Sequence, residues 1–219
     1  MIEQVVFDLD GTLIDSAPSI LASLAATLAS HGIKPEKSLD PSIIGPPLRE
    51  TLIRLTGSDE PTLLDSLTAT FKSEYDTIGY KATTAFPGVR ELLEELAQRN
   101  IAIIIATNKR LSPTGLILEY LGWSKLFRRV YALDCIEPPF SNKAKLLAQV
   151  LQDVGLTPRQ VAYVGDKLED GLAADENSIP FFSANWGYGA WRAGEIRSAG
   201  WRALRQPGDL LAELSTDCA

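Results

Sequence analysis

The sequence is poor in the residues that build disulfide and zinc frameworks. It has two cysteines, Cys135 and Cys218, and one histidine, His31, in 219 residues. Two cysteines so far apart have no metal-site spacing and make no disulfide framework. A lone histidine in ASHG, where a helix ends, reads as a capping or surface residue, so no zinc cluster is expected. No apolar run approaches the ~18 residues that a membrane-spanning helix needs. Positive charge is also scarce. The net charge of -7 disfavours nonspecific nucleic-acid binding, although local basic patches are compatible with it. The chain opens directly on a strand, which leaves no room for a signal peptide. Internal repeats and low-complexity segments are absent. These absences favour a soluble protein of the reducing cytoplasm with no nucleic-acid or membrane partner; separately, a monomer or homodimer is expected.

What is present is a substantial apolar fraction, 45% of residues. It suits one large domain, or a core domain with a smaller insertion. Five short runs rich in Val, Ile, Tyr and Phe read as strands: Gln4–Phe7, Ile101–Ala106, Arg128–Leu133, Val161–Val164 and Ile179–Phe182. Most lack polar alternation, as strands covered on both faces do. Helical spacing separates the later ones, over Val89–Arg99, Pro113–Leu121, Lys143–Val154 and Asp170–Glu176. Strand and helix in alternation predict a parallel α/β sheet of Rossmann-like form. Ligands bind such sheets at the carboxyl ends of the strands. Asp8, Thr107-Asn108, Asp134 and Asp166 all follow strands and should face one crevice.

The interval Ser16–Thr84 differs. Ser16 and Pro18 look like a helix start. Helical stretches follow over Pro47–Leu55 and Pro61–Ile78, with Gly32 and Pro35 as interruptions. The chain therefore divides into a core of residues 1–15 and 85–219 and a helical insertion of residues 16–84. Pro87-Gly88 marks the return to the core. Trp186, Gly187, Tyr188, Gly189, Trp191 and Trp201 form an aromatic, glycine-containing segment that reads as loops near the crevice and cover for a core edge. A short helix over Pro207–Leu214 closes the chain.

The chemistry concentrates at IEQVVFDLDGTLIDS. An apolar run ends in Asp8, Asp10 follows two places on, and Gly11-Thr12 turns the chain. Residues two apart on an extended strand point to the same side. Close carboxylates repel unless a cation or shared proton intervenes. The pair therefore suggests a divalent metal, a nucleophile beside a general acid, or both. A nucleophilic Asp8 suits phosphoryl transfer through an aspartyl-phosphate. Asp10 is placed to protonate the leaving alcohol and then activate water, with Thr12 to orient it. The Thr107 hydroxyl and the Asn108 backbone offer donors to phosphate oxygens, though Thr and Asn also make ordinary helix caps. Lys109 reads as a solvated cation. Lys143, opening a helix after EPPFSN, can neutralise both Asp8 and a phosphate. Lys145 competes for that role, but about 200° of helix separates the two. In GDKLED at 165–170, Asp166 and Asp170 share a side if a helical turn starts between them, and Glu169 is less well phased. Asp8, Asp166 and the Asp10 carbonyl offer hard oxygens suited to magnesium.

With these residues in order along the chain, the sequence resembles the haloacid dehalogenase-like hydrolase superfamily, in its phosphatase branch. DLDGT at 8–12 matches the DxDGT signature. Thr107 matches the second-motif Thr or Ser, Lys143 the motif Lys, and Asp166 and Asp170 the GDxxxD form of the last motif. The resemblance covers the whole chain. It implies a Rossmann-like core with a mobile helical cap at Ser16–Thr84, hinged near Asp15-Ser16, that closes over a small phosphorylated metabolite. It further implies Asp8 as nucleophile and Asp10 as acid and base. Thr107, Asn108 and Lys143 would then hold the phosphate, and Asp8, Asp10, Asp166 and Asp170 the magnesium site.

Three segments, ATNK at 106–109, IIGPPLRETL at 43–52 and FPGVRELLEEL at 86–96, resemble phosphoglycolate phosphatases. On that resemblance the expected substrate is 2-phosphoglycolate, with Arg49 facing its carboxylate. Many relatives carry KPxP at the motif Lys, where this chain has KAKL. A sugar phosphomutase, a phosphonatase or a non-catalytic interaction protein that kept the fold are the alternatives. A dehalogenase would not need the second aspartate.

Overall fold

A computed structural model describes residues 2–189 and 200–216. Trp191 and Cys218 lie outside them. The central sheet has six parallel strands, β1 (Gln4–Phe7), β4 (Ala102–Thr107), β5 (Arg129–Ala132), β6 (Val161–Gly165), β7 (Phe181–Ala184) and β8 (Arg202–Leu204). Their spatial order is β5-β4-β1-β6-β7-β8. β1 is central, pairing Val6 with Ile104 on one side and with Tyr163 on the other. Alternation then divides its side chains between two layers. Val5 and Phe7 pack with Leu92, Leu93 and Ile117, from α4 (Val89–Gln98) and α5 (Leu111–Tyr120). Val6 packs on the other face with Leu146, Leu147 and Ala173, from α6 (Lys143–Val154) and α7 (Leu168–Glu176). Both faces are dry, which is why the strands read as unbroken apolar runs.

Two pairings were not legible in the sequence. β8 joins the sheet edge parallel to β7, yet of its three residues only Leu204 is buried. A strand so short and half-exposed leaves no period to read. β2 (Ile14–Asp15) and β3 (Thr84–Ala85) form a separate antiparallel pair. They are the two passages of the chain between the core and the helical insertion, so both crossings lie side by side.

The insertion holds α1 (Ala17–Ser30), α2 (Leu48–Thr56) and α3 (Pro61–Tyr75). α3 stops at Tyr75, short of the expected Ile78, and a one-turn 3-10 helix over Gly79–Ala82 follows. The three helices build their own core from Leu24, Leu28, Leu52, Leu55, Leu64, Leu67, Phe71 and Tyr75. His31 ends α1, with its ring against Thr27 O and Ser66 Oγ. The last helix, α8 (Asp209–Thr216), packs Leu210 and Leu214 into the sheet core. Trp201 covers the far edge, meeting the Phe181 ring edge-on and donating to Asp175. Among the described residues no helix is long and apolar enough to cross a membrane.

Candidate active site

The site is built at the carboxyl ends of β1, β4 and β6. The Asp8 amide donates to Val164 O at 2.9 Å, holding the end of β1 against β6. Beyond it, the amides of Leu13 and Ile14 both turn back to Leu9 O, so Asp8 projects from a tight loop. Gly11 lies in that loop at φ +85°, and a Cβ there would collide with the Asp166 carboxylate. Gly187 closes from the opposite side, where a Cβ would collide with the Gly11 carbonyl and Asp166. Gly11→Ala should therefore cost about 1–3 kcal/mol in backbone strain alone, read as a lower urea midpoint. A midpoint equal to that of the parent would mean that the loop relaxes freely.

Lys143 is buried at the start of α6. Its Nζ lies 3.1 Å from Asp8 Oδ1 and 2.5 Å from Asp170 Oδ1. Burial opposes its charge, but Asp170 and Asp8 outweigh burial and hold its pKa above the usual lysine range. Lys145 is exposed on another face of the helix, so Lys143 is the lysine brought to the crevice. Tyr163 adds a hydrogen bond to Asp170 Oδ1 at 2.9 Å. Asp166, fully buried, accepts the amides of Tyr188 and Gly189 at 2.7 and 3.2 Å. Thr12 turns its hydroxyl to Asp166 Oδ1 at 3.4 Å. It does not orient Asp10, as the sequence had suggested. That task falls to Ser16, whose Oγ donates to Asp10 Oδ1 at 2.5 Å.

Asp8, Asp166 and Asp170 each place a carboxylate oxygen within 4.8 Å of the others. One buried lysine, Lys143, pairs with Asp8 and Asp170, while Lys167 is the larger positive influence on Asp166. Asp8 Oδ1 is buried without a hydrogen-bond partner, and the Lys143 ammonium lies 3.1 Å from it as an ion pair. Burial pushes the Asp8 pKa up to about 8 against the pull of Lys143. Burial, then Asp170, pushes Asp166 up to about 7. An excess of buried negative charge and an orphaned carboxylate oxygen fit a divalent cation with hard oxygen ligands. The Asp10 side chain faces Ser16 and Lys109, away from the three acids, as suits a residue whose expected metal contact is its backbone carbonyl.

Thr107 and Asn108 end β4, both buried. The Thr107 hydroxyl accepts the Lys109 amide at 3.2 Å. The Asn108 amide donates to Gly45 O of the insertion at 2.9 Å and to the Glu169 carboxylate. Asp134 does not join them, because it accepts the Leu111 amide at the start of α5. Lys109 corrects the sequence reading most sharply. It is buried, with its Nζ 3.1 and 3.2 Å from the two Asp10 oxygens and 2.9 Å from Tyr75 Oη. A single lysine after a strand carries no periodic signal, and its burial comes from the insertion folding over it. Tyr188 is the other residue that sequence reasoning left without a role. Its hydroxyl accepts the amides of Ser16 and Ala17 and donates to Asp15, at 2.7, 2.9 and 2.8 Å. Trp186 donates to Thr12 O at 3.0 Å, so this aromatic loop braces the site and the crossing.

Between core and insertion lies a cavity of about 80 Å³. Its polar rim includes Asp10, Asn108, Lys109 and Arg110, and its wall includes Ile20, Ile44, Leu48 and Phe71. Arg110 is fully committed, its two nitrogens meeting the two Asp76 oxygens at 2.7 and 2.6 Å. Arg49 does not line the cavity. It pairs with Asp65 at 2.6 Å, with 46% of its side chain exposed. The helical phase of α2 points Leu48 and Thr51 inward and Arg49 away, which removes the expected carboxylate contact.

The comparisons with known proteins agree with this geometry. The model of the family described as haloacid dehalogenase-like hydrolase matches residues 5–184. Tyrosine-protein kinase PtkA of Mycobacterium tuberculosis is 32% identical over 186 residues, covering 84% of this chain and 62% of PtkA. The chain thus spans less than two thirds of that relative. Phosphoglycolate phosphatase of Xanthomonas campestris is 31% identical over 211 residues, covering 94% of this chain and 93% of that protein. A solved haloacid dehalogenase-like hydrolase from Streptococcus pneumoniae superimposes with a TM-score of 0.82 at 27% identity, covering 97% of this chain and 98% of that one.

Proposed function

This chain belongs to the haloacid dehalogenase-like hydrolase family, and on that premise we propose that it is a magnesium-dependent phosphatase of small phosphate monoesters, with 2-phosphoglycolate the first substrate to assay. The observation that carries this reading is the setting of Asp8. It is a buried carboxylate at a strand end, with Lys143 at 3.1 Å and Asp10 two residues on. Its Oδ1 is buried, accepts no hydrogen bond and has the Lys143 ammonium beside it, a setting suited to bonding phosphorus or metal.

A carboxylate oxygen of Asp8 attacks phosphorus, and the bond from phosphorus to the alcohol oxygen breaks. Protonated Asp10 gives its proton to that oxygen. Water then attacks the aspartyl-phosphate, Asp10 takes a proton from it, and inorganic phosphate leaves with Asp8 restored. The Thr107 hydroxyl, the Asn108 backbone and the Lys143 ammonium receive the phosphoryl oxygens and their developing charge. Asp8, Asp166 and Asp170 would hold magnesium, which supplies charge neutralisation for the transferring group. The helical insertion shields the intermediate from bulk water. We place the enzyme in the cytoplasm, acting alone or as a homodimer.

Phosphate release from 2-phosphoglycolate, measured with and without a chelator, tests the reading. Turnover should vanish with the chelator and return with magnesium. Asp166→Ala should raise the magnesium requirement sharply or end turnover, because it removes one of three clustered ligands. Full activity in metal-free buffer would contradict the site.

A further inference from the structure

We propose that Lys109 reads an anionic group, a carboxylate in the first instance, on the alcohol portion of the substrate, one or two carbons from the ester oxygen. The inference rests on the phosphatase reading above and assigns the specificity that Arg49 does not supply.

The cavity lies beyond Asp10. Asp10, Asn108 and Lys109 line it, whereas Asp8 and Lys143 do not. An ester phosphate held at Asp8 and Lys143, with its alcohol oxygen against Asp10, must project its organic part there. Two cations meet that space. Arg110 has its fork closed on Asp76. Lys109 has three N–H donors, and its hydrogen-bond partners are the Asp10 carboxylate and the Tyr75 hydroxyl. Three acceptor atoms from two groups surround Nζ; with the two Asp10 oxygens at nearly equal distances sharing one N–H, the third donor is left for a ligand. The Lys109 side chain is only 7% exposed, so a charged contact made there is shielded from salt and water.

Distance restricts the ligand further. Lys109 Nζ is 3.1 Å from Asp10 Oδ1. A group that binds both must have its anion within a few bonds of the ester oxygen. Ile20, Ile44, Leu48 and Phe71 on the other walls offer nothing to a second charge. The chamber thus suits a short chain ending in one anion. Tyr75 comes from α3 and stacks on Phe71 at 5.2 Å, so the insertion itself sets the lysine in place.

The test compares 2-phosphoglycolate with ethylene glycol monophosphate, which replaces the carboxylate by a hydroxymethyl group. p-Nitrophenyl phosphate reports on phosphatase chemistry itself. A charge-assisted hydrogen bond of about 1.5–3 kcal/mol predicts that kcat/KM of the parent enzyme favours phosphoglycolate by about 10- to 100-fold. Lys109→Gln should collapse that ratio to within about threefold of unity, and Lys109→Arg should restore part of it. The ratio is the readout, because both variants also disturb Asp10. If Lys109→Gln does not fold, Lys109→Arg alone must shrink the ratio. A parent enzyme that hydrolyses p-nitrophenyl phosphate but shows no preference between the two alkyl esters overturns the inference and leaves the phosphatase reading standing. Equal losses on both esters in Lys109→Gln overturn it as well, assigning the lysine to Asp10 alone. No turnover of any of the three esters overturns both.

Discussion

Asp8→Asn yields a folded protein that releases no measurable phosphate. The amide is nearly isosteric with the carboxylate but is no nucleophile, so the covalent pathway is removed and not merely slowed. A loss beyond about 10⁴-fold is expected, the range seen when one member of a covalent catalytic set is deleted. The fold should survive. Asp8 sits beside Asp166 and Asp170, and burial already disfavours its charge. Neutralising it relieves repulsion, while Lys143 keeps its contact with Asp170. Thermal unfolding and phosphate release are measured on the same sample. Parental turnover by the folded variant would remove Asp8 from the mechanism.

Asp10→Asn should retain phosphate binding and slow both half-reactions, by about 10²–10⁴-fold on an alkyl phosphate. Asp10 touches neither Asp8 nor Lys143 through a hydrogen bond. Its partners are Ser16 and Lys109, so its loss leaves the phosphoryl-binding groups in place. An alkoxide leaving group needs a proton, whereas p-nitrophenolate needs little help. Formation of the phosphoenzyme from p-nitrophenyl phosphate should therefore be damaged less than formation from 2-phosphoglycolate. A rate within about twofold of the parent on the alkyl ester, with chemistry rate-limiting, would exclude Asp10 as proton carrier.

The sequence carried the sheet and the acids of the site for a common reason. Buried parallel strands leave long apolar runs, and residues at their carboxyl ends are placed by that topology alone. Gln4–Phe7 reads as a strand from composition, and Asp8 follows without further knowledge. Asp166 and Asp170 needed only a helix start between them, which Leu168 provides. What stayed hidden depends on contacts between distant segments. Lys109 is buried because Tyr75, distant in sequence, folds over it. Ser16, not Thr12, orients Asp10 because the crossing at Ile14–Asp15 brings it back. Tyr188 braces Asp15 and Asp166 from a loop with no periodicity. Arg49 shows the converse error, since a cation in a suggestive motif was turned outward by the phase of its helix and paired with Asp65.

The central claim is that Asp8 carries the phosphoryl group. Asp10→Asn should let that species accumulate, because the second half-reaction also needs the missing base. The enzyme variant is mixed with magnesium and p-nitrophenyl phosphate, quenched in acid, digested and read by peptide mass spectrometry. The account predicts one added phosphoryl group, fragment ions placing it on Asp8, and its disappearance in the Asp8→Asn, Asp10→Asn double variant. A phosphoryl group on any other residue, or repeated turnover with none trapped on Asp8, would contradict it.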